Sequence, residues 1–240
     1  MFKNKNTFLF DLDGTLLDLE IDKFLEYYFD ALSREFSDLC ESRKEFIAVL
    51  MESTGKMIEN DGKKSNQEVF MDDFLTKITA GDEEDLKKRF DYFYENRFPE
   101  LQKYFDFDNS ISVELIKYLK NKDKKLVLAT NPLFPKKAVI ERLKWGGLSE
   151  ADFDFITSYE NMNYAKPNPN YYQEILDKID RAPEECLMIG NDMAEDTAAA
   201  DLGIKTIIVD DNLIEAEDKE HKIEWKGSLK ELAEILRNKI

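Results

Sequence analysis

From about residue 105 onward the chain carries four short apolar runs, each separated from the next by a helix-like stretch. They are Lys125-Leu-Val-Leu-Ala-Thr130, Phe153-Asp-Phe-Ile-Thr157, Cys186-Leu-Met-Ile-Gly190 and Lys205-Thr-Ile-Ile-Val-Asp210. A strand that is apolar on both faces needs cover on both faces, the situation of a strand in a parallel sheet. Strands alternating with helices therefore predict a doubly wound parallel sheet, an α/β fold. A fifth run, Phe8-Leu9-Phe10, stands near the N-terminus and reads as one more buried strand.

A helical block interrupts this pattern just after its first strand. Ile21, Phe24, Leu25, Tyr28, Phe29, Leu32 and Phe36 recur at helical spacing. A second helix is expected from Arg43 to Ile58. Ser65 with Glu68 three residues later forms a capping-box pattern and opens a third, ending near Gly81. Asp82 caps a fourth, running through Phe90, Tyr94 and Phe98 to Pro99. The expected organisation is a core of residues 1–18 and 100–240 with a helical insertion over 19–99. The aromatics of the insertion are most simply the inside of a small bundle, with an aromatic substrate cage as the alternative. The loop Asn60-Asp-Gly-Lys-Lys64 reads as a solvent-facing turn, with a loop that faces substrate from the insertion as the alternative. Asn131-Pro132 and Asn168-Pro169 each read as a helix cap followed by proline at the first helical position. Ser228 with Glu231 repeats the capping box before a final helix.

Composition narrows the function classes. The formal net charge of −17 argues against nucleic acid as a partner. An anionic substrate must therefore be drawn in by a local metal or lysine rather than by the global field. No apolar run reaches the length of a membrane span, and no signal peptide is evident, so cytoplasmic residence is the expectation. Cys40 and Cys186 fit no metal or redox spacing. His221, the only histidine, lies in a charged stretch and reads as exposed. Oligomeric state is not legible.

The chemistry gathers at the carboxyl ends of the strands, where open α/β sheets place their ligands. The first strand runs into Asp11-Leu-Asp-Gly-Thr-Leu-Leu-Asp18. Two carboxylates two positions apart point to one side of an extended chain, and Gly14 allows a sharp turn after them. Such close like charges repel unless a cation lies between them, and a divalent ion is the natural candidate. Asp18, just past the turn, reads as a cap or hinge residue. The next strand ends in Thr130-Asn131, Lys166 follows the third, and the fourth ends in Gly190-Asn-Asp-Met-Ala-Glu-Asp196. A carboxylate can serve as nucleophile and a second acid can protonate a leaving oxygen. A hydroxyl, an amide and an ammonium can hold the oxygens of a moving phosphoryl group. Further acids can hold magnesium.

These residues resemble the four ordered motifs of the haloacid dehalogenase superfamily, in its branch of small phosphatases. The resemblance implies a Rossmann-like core with an inserted helical cap and magnesium-dependent hydrolysis of a small phosphorylated metabolite through an aspartyl phosphate. It implies that Asp11 is the nucleophile and Asp13 the general acid/base, whose backbone carbonyl also binds magnesium. It further implies that Thr130, Asn131 and Lys166 bind the phosphoryl group, and that Asp192 and Asp196 complete the metal site with Asp11 and Asp13. The fourth motif often begins Gly-Asp, whereas here it reads Gly190-Asn191-Asp192. Asp192 is the expected inner ligand because it is an anion, with Asn191 the alternative and Asp196 acting through a metal-bound water. A sugar-phosphate mutase would use the same residues, and a non-catalytic phosphate-binding protein is a further alternative. A calcium loop is excluded, because its sixth-position glycine and twelfth-position glutamate are missing.

Overall fold

The computed structural model describes residue 2 and residues 5–78, 82–216 and 222–240. Gly81 and His221 lie outside the described residues. Six strands form one parallel sheet: β1 (Thr7–Phe10), β2 (Lys125–Leu128), β3 (Phe155–Ile156), β4 (Cys186–Gly190), β5 (Lys205–Val209) and β6 (Trp225–Gly227). Their order is β3-β2-β1-β4-β5-β6, so β1 is central and the strand order reverses on either side of it. The helices that cover the sheet are α5 (Ser110–Lys120), α6 (Lys136–Trp145), α7 (Pro169–Ile179) and α8 (Leu229–Lys239), which follow the insertion helices α1 (Ile21–Glu35), α2 (Arg43–Ile58), α3 (Asn66–Lys77) and α4 (Glu83–Tyr92).

The apolar strands behave as their period dictates. Phe8 and Phe10 join one buried cluster while Leu9 joins the other; Leu126 and Leu128 oppose Val127, and Leu187 and Ile189 oppose Met188, in the same way. Ser65 and Ser228 form complete capping boxes with Glu68 and Glu231, and the Asn168 side chain caps α7 with Pro169 next to it. The bundle aromatics are internal: Phe36, Phe46 and Phe74 are fully or almost fully buried, and the Phe36 ring lies 4.6 Å from that of Phe90.

Four expectations need correction. Strand β3 is only two residues long, because the Asp154 carboxylate takes the Leu126 N–H (2.8 Å) in place of a ladder carbonyl. Strand β6 is additional to the runs read from the sequence; its three residues are too few to show a period. The fourth helix leaves α-helical geometry after Tyr92 for a π-helical stretch, Phe93–Arg97, and a 3₁₀ stretch, Phe98–Tyr104. Pro99 sits in the first turn of the latter, where a missing N–H costs nothing. Asn131-Pro132 starts no helix. Helix α6 begins at Lys136, whose N–H is taken by the Glu160 carboxylate from another loop (3.0 Å).

The insertion packs directly on the strand ends. Phe24 and Tyr28 of α1 approach Phe134 at 6.0 and 5.3 Å between ring centroids. The turn at residues 60–64 is the fifth correction. Asn60 is buried and bonded to Asn66, Gly62 O accepts from Asn163 Nδ2 (2.9 Å), and only Asp61, Lys63 and Lys64 keep their side chains in solvent. Asn66 and Gln67 continue the contact, donating their N–H groups to Met162 O and Tyr159 O at 2.9 Å each. Two backbone N–H groups and one carbonyl of the insertion are satisfied here by the segment that leads to Lys166. Asp18 and Asn109 tie together the two chain crossings into the insertion: Asp18 N–H donates to Asn109 Oδ1 at 2.8 Å.

Candidate active site

The site grows out of the end of β1. Asp11 N–H donates to Ile189 O (2.9 Å), so pairing with β4 extends one residue beyond the strand and fixes Asp11 in the sheet. The chain then turns tightly, with the N–H groups of Thr15, Leu16 and Leu17 all on Leu12 O. Gly14 has φ +82°, and a Cβ there would lie 2.3 Å from Asn191 Nδ2. Glycine is thus required twice over, by the backbone angle and by the neighbour.

Lys166 is fully buried, with Nζ 2.8 Å from Asp11 Oδ1 and 2.6 Å from Asp196 Oδ1. Burial works against its ammonium, but the two carboxylates outweigh burial and hold its pKa well above the usual lysine value. Burial pushes Asp11 up to about 8; Lys166 pulls it down and the Asp196 charge raises it again. Asp196, itself fully buried, places Oδ2 on the Asp192 N–H (2.9 Å). Gly190 makes room for it, since a Cβ at Gly190 would meet Asp196 Oδ2 at 2.0 Å. The structure thus brings Asp11, Lys166 and Asp196 together as one buried cluster, two carboxyl groups around one ammonium.

The other predicted residues border this cluster in different ways. Thr130 lies two residues past β2, with its carbonyl held by Tyr171 Oη (2.8 Å) and Thr157 Oγ1 (2.7 Å). Asn131 places Oδ1 on the Lys166 N–H (3.3 Å) and Nδ2 on Glu195 Oε1 (2.8 Å). Asp192 directs Oδ1 to the N–H groups of Ala194 and Glu195, 2.8 Å each. Asn191 is buried, accepting from Thr15 Oγ1 (3.1 Å) and donating to Asn212 O (2.6 Å).

Asp13 holds a partner that sequence reasoning missed. Its Oδ2 accepts a hydrogen bond from Arg142 Nη1 on α6. Arg142 is 1% exposed, and its guanidinium packs 4.5 Å from the Phe134 ring and 5.6 Å from that of Phe24. Burial raises the Asp13 pKa, and Arg142 draws it back. Asp13 Oδ1 and Arg142 Nη2 are both buried without a hydrogen-bond partner. Glu195 was missed too; burial lifts it to about 7. In the sequence Arg142 is one basic residue of an amphipathic helix and Glu195 one acid of an acidic run, so neither carries a local signal. Arg142→Met is expected to destabilise the fold by about 3 kcal/mol, because it leaves the largely buried Asp13 carboxylate without its partner. Arg142→Lys should lose less, and urea denaturation of the two variants measures the difference.

The sequence profile of the haloacid dehalogenase-like hydrolases matches residues 5–203. The chain belongs to that family, and is a hydrolase. Its relatives include pyrophosphatase PpaX of Bacillus cereus (strain Q1), 28% identical over 211 residues, covering 85% of this chain and 82% of the relative. The phosphorylated carbohydrates phosphatase of Thermotoga maritima is 27% identical over 199 residues, covering 83% and 82%. Among solved structures, the HAD-hydrolase YfnB of Bacillus subtilis bound to magnesium superposes with a TM-score of 0.57 at 22% identity, covering 98% and 99% of the two chains. That likeness establishes the shared α/β core. No helix among the described residues is long and apolar enough to cross a membrane.

Proposed function

We propose that the protein is a magnesium-dependent phosphatase that hydrolyses a small phosphate monoester through a phosphoryl group carried on Asp11. The observation that carries this reading is the buried cluster of Asp11, Lys166 and Asp196 at the end of the central strand. It holds a carboxylate nucleophile in one orientation, with a cation beside it to receive a phosphoryl oxygen. The two relatives act, by name, on pyrophosphate and on phosphorylated carbohydrates, which supports phosphoryl transfer to water without specifying the alcohol.

In this reading an Asp11 oxygen attacks phosphorus while the bond to the leaving oxygen breaks. Arg142 fixes Asp13 through Oδ2, which leaves Oδ1 to give its proton to that oxygen. Asp13 then takes a proton from water as the water attacks phosphorus, and Asp11 is released. Lys166 and Thr130 hold the phosphoryl oxygens, and Asn131 keeps Lys166 and Glu195 in register around them. The helical insertion over 19–99 serves as the cap that excludes water, an assignment supported by its docking on the Lys166 segment.

The donor chemistry fits magnesium. The candidate donors, Asp11, the Asp13 carbonyl and Asp192 or Asn191, are all oxygen, and Asp11 keeps one oxygen that Lys166 does not take. Among the described residues no three acidic, histidine or cysteine side chains converge. Asp11 and the Asp13 carbonyl, with Asp192 or Asn191, would therefore share the ion with water, as magnesium prefers. Asp196, with both oxygens on protein groups, would support the site without touching the ion. Bound there, magnesium would supply the positive charge that lets an anionic phosphate approach an anionic carboxylate. Phosphate release from a panel of monoesters, with magnesium and with excess EDTA, tests the reading. Turnover should require magnesium; full activity in EDTA, or no turnover of any ester with magnesium, would contradict it.

A further inference from the structure

An apolar chamber of about 190 Å³ that opens to solvent lies between α1, α2 and α3 and the core residues Leu133, Phe134 and Tyr159. Leu25, Leu50, Met57 and Phe70 form much of its wall. Its polar atoms are already engaged. The Tyr28 and Tyr94 hydroxyls bond each other at 2.8 Å, Thr54 Oγ1 donates to Leu50 O at 2.8 Å, and Tyr159 Oη accepts from Gln67. A buried water needs two to four polar partners, which this lining does not offer. An engineered cavity of about 150 Å³ with a similar lining stays dry and binds benzene. Two of the exposed large hydrophobic side chains, Met51 (49%) and Ile58 (41%), also line the chamber, so its apolar surface continues out to solvent.

The chamber adjoins the acid. Phe134 forms one of its walls, the Arg142 guanidinium packs on the same ring at 4.5 Å, and Arg142 holds Asp13. Leu133 and Phe134 follow the strand-end pair Thr130-Asn131 almost directly. In the phosphatase reading the leaving oxygen takes its proton from Asp13, which places the leaving alcohol beside the residue that Arg142 holds.

We propose that the chamber binds a compact uncharged apolar group, an aromatic ring or a branched alkyl chain, carried by the leaving alcohol of the substrate. The substrate class is then a phosphate monoester of an apolar alcohol. This rests on the phosphatase reading for its link to Asp11, but the ligand class rests on the chamber alone. Desolvation of the apolar group drives its capture.

The test has a binding arm and a hydrolysis arm. In the first, benzyl alcohol is titrated into the protein by calorimetry, alongside Leu50→Phe and Leu25→Phe, which fill the chamber. One saturable site is expected in the wild type, weakened at least about tenfold in the filled variants, as loss of a well-fitted apolar contact implies. Thermal melts of both variants confirm that they fold, and either one alone suffices. In the second arm, kcat/KM is compared for benzyl phosphate and glycerol 2-phosphate. A preference for the benzyl ester of about tenfold or more is expected, and it should disappear in the filled variants. No saturable benzyl alcohol binding, or equal binding by wild type and both variants, overturns the proposal, as does hydrolysis of both esters at equal efficiency. Alcohol binding that vanishes in the filled variants, with neither ester hydrolysed, supports the chamber's ligand class and contradicts the phosphatase reading instead.

Discussion

Asp11→Asn is expected to lower phosphatase turnover by about 10⁴- to 10⁶-fold, as removal of a nucleophile does in other covalent enzymes. The amide is a poor nucleophile and cannot carry the phosphoryl group. The fold should survive. The amide side chain would keep an oxygen to accept from Lys166, which lies 2.8 Å from Asp11 Oδ1, and Lys166 would keep its Asp196 partner at 2.6 Å. Stability should even rise at neutral pH. The folded pKa of Asp11 is lifted to about 8 from the ordinary carboxylate value of 3.8. A carboxyl raised on folding costs stability as the pH climbs from its unfolded value toward its folded one, and asparagine carries no such cost. A thermal melt at pH 7 beside a phosphate-release assay separates the two effects. A variant that loses activity only because it unfolds would show a lowered melting temperature, which is the opposite of the expected result.

Lys166→Met is expected to damage both stability and rate. Asp11 and Asp196 would then face each other in a buried site without the cation that now lies between them. Removing one partner of a buried ion pair costs about 3–5 kcal/mol. Loss of a preorganised charge at the transferring group costs a further 10²–10³-fold, roughly, in turnover. The double variant Lys166→Met with Asp196→Asn divides these contributions. Taking away the second carboxylate relieves the repulsion, so most of the stability should return while the rate stays low. Recovery of the rate with the stability would mean that Lys166 only neutralises Asp196 and takes no part in phosphoryl transfer.

Much of the fold is legible in the sequence, for reasons that differ from residue to residue. The strands were legible because both their faces are buried, which turns alternation into continuous apolar runs such as Cys186–Gly190. Capping at Ser65, Asp82, Asn168 and Ser228 was legible because a cap is a local hydrogen bond over two or three residues. Asn131-Pro132 failed by the same rule, since tertiary partners, Glu195 and the Lys166 N–H, take the side chain that a helix would have used. Arg142 could not be found from its neighbours in sequence. Its partner Asp13 lies 129 residues away, and the aromatic rings around it come from α1 and from the loop after β2. The loop at 60–64 has a turn composition, but its Gly62 carbonyl finds a partner, Asn163, only once the insertion meets the core. Composition reports a turn's backbone, not what lies against it.

The central claim is that Asp11 carries the phosphoryl group. Its most direct measurement is rapid acid quenching of the magnesium-loaded enzyme during turnover, followed by peptide mass spectrometry. The added mass of one phosphoryl group should fall on the peptide containing Asp11 and be missing from the Asp11→Asn variant. A phosphoryl group found on any other residue in the turning-over wild type would contradict the claim.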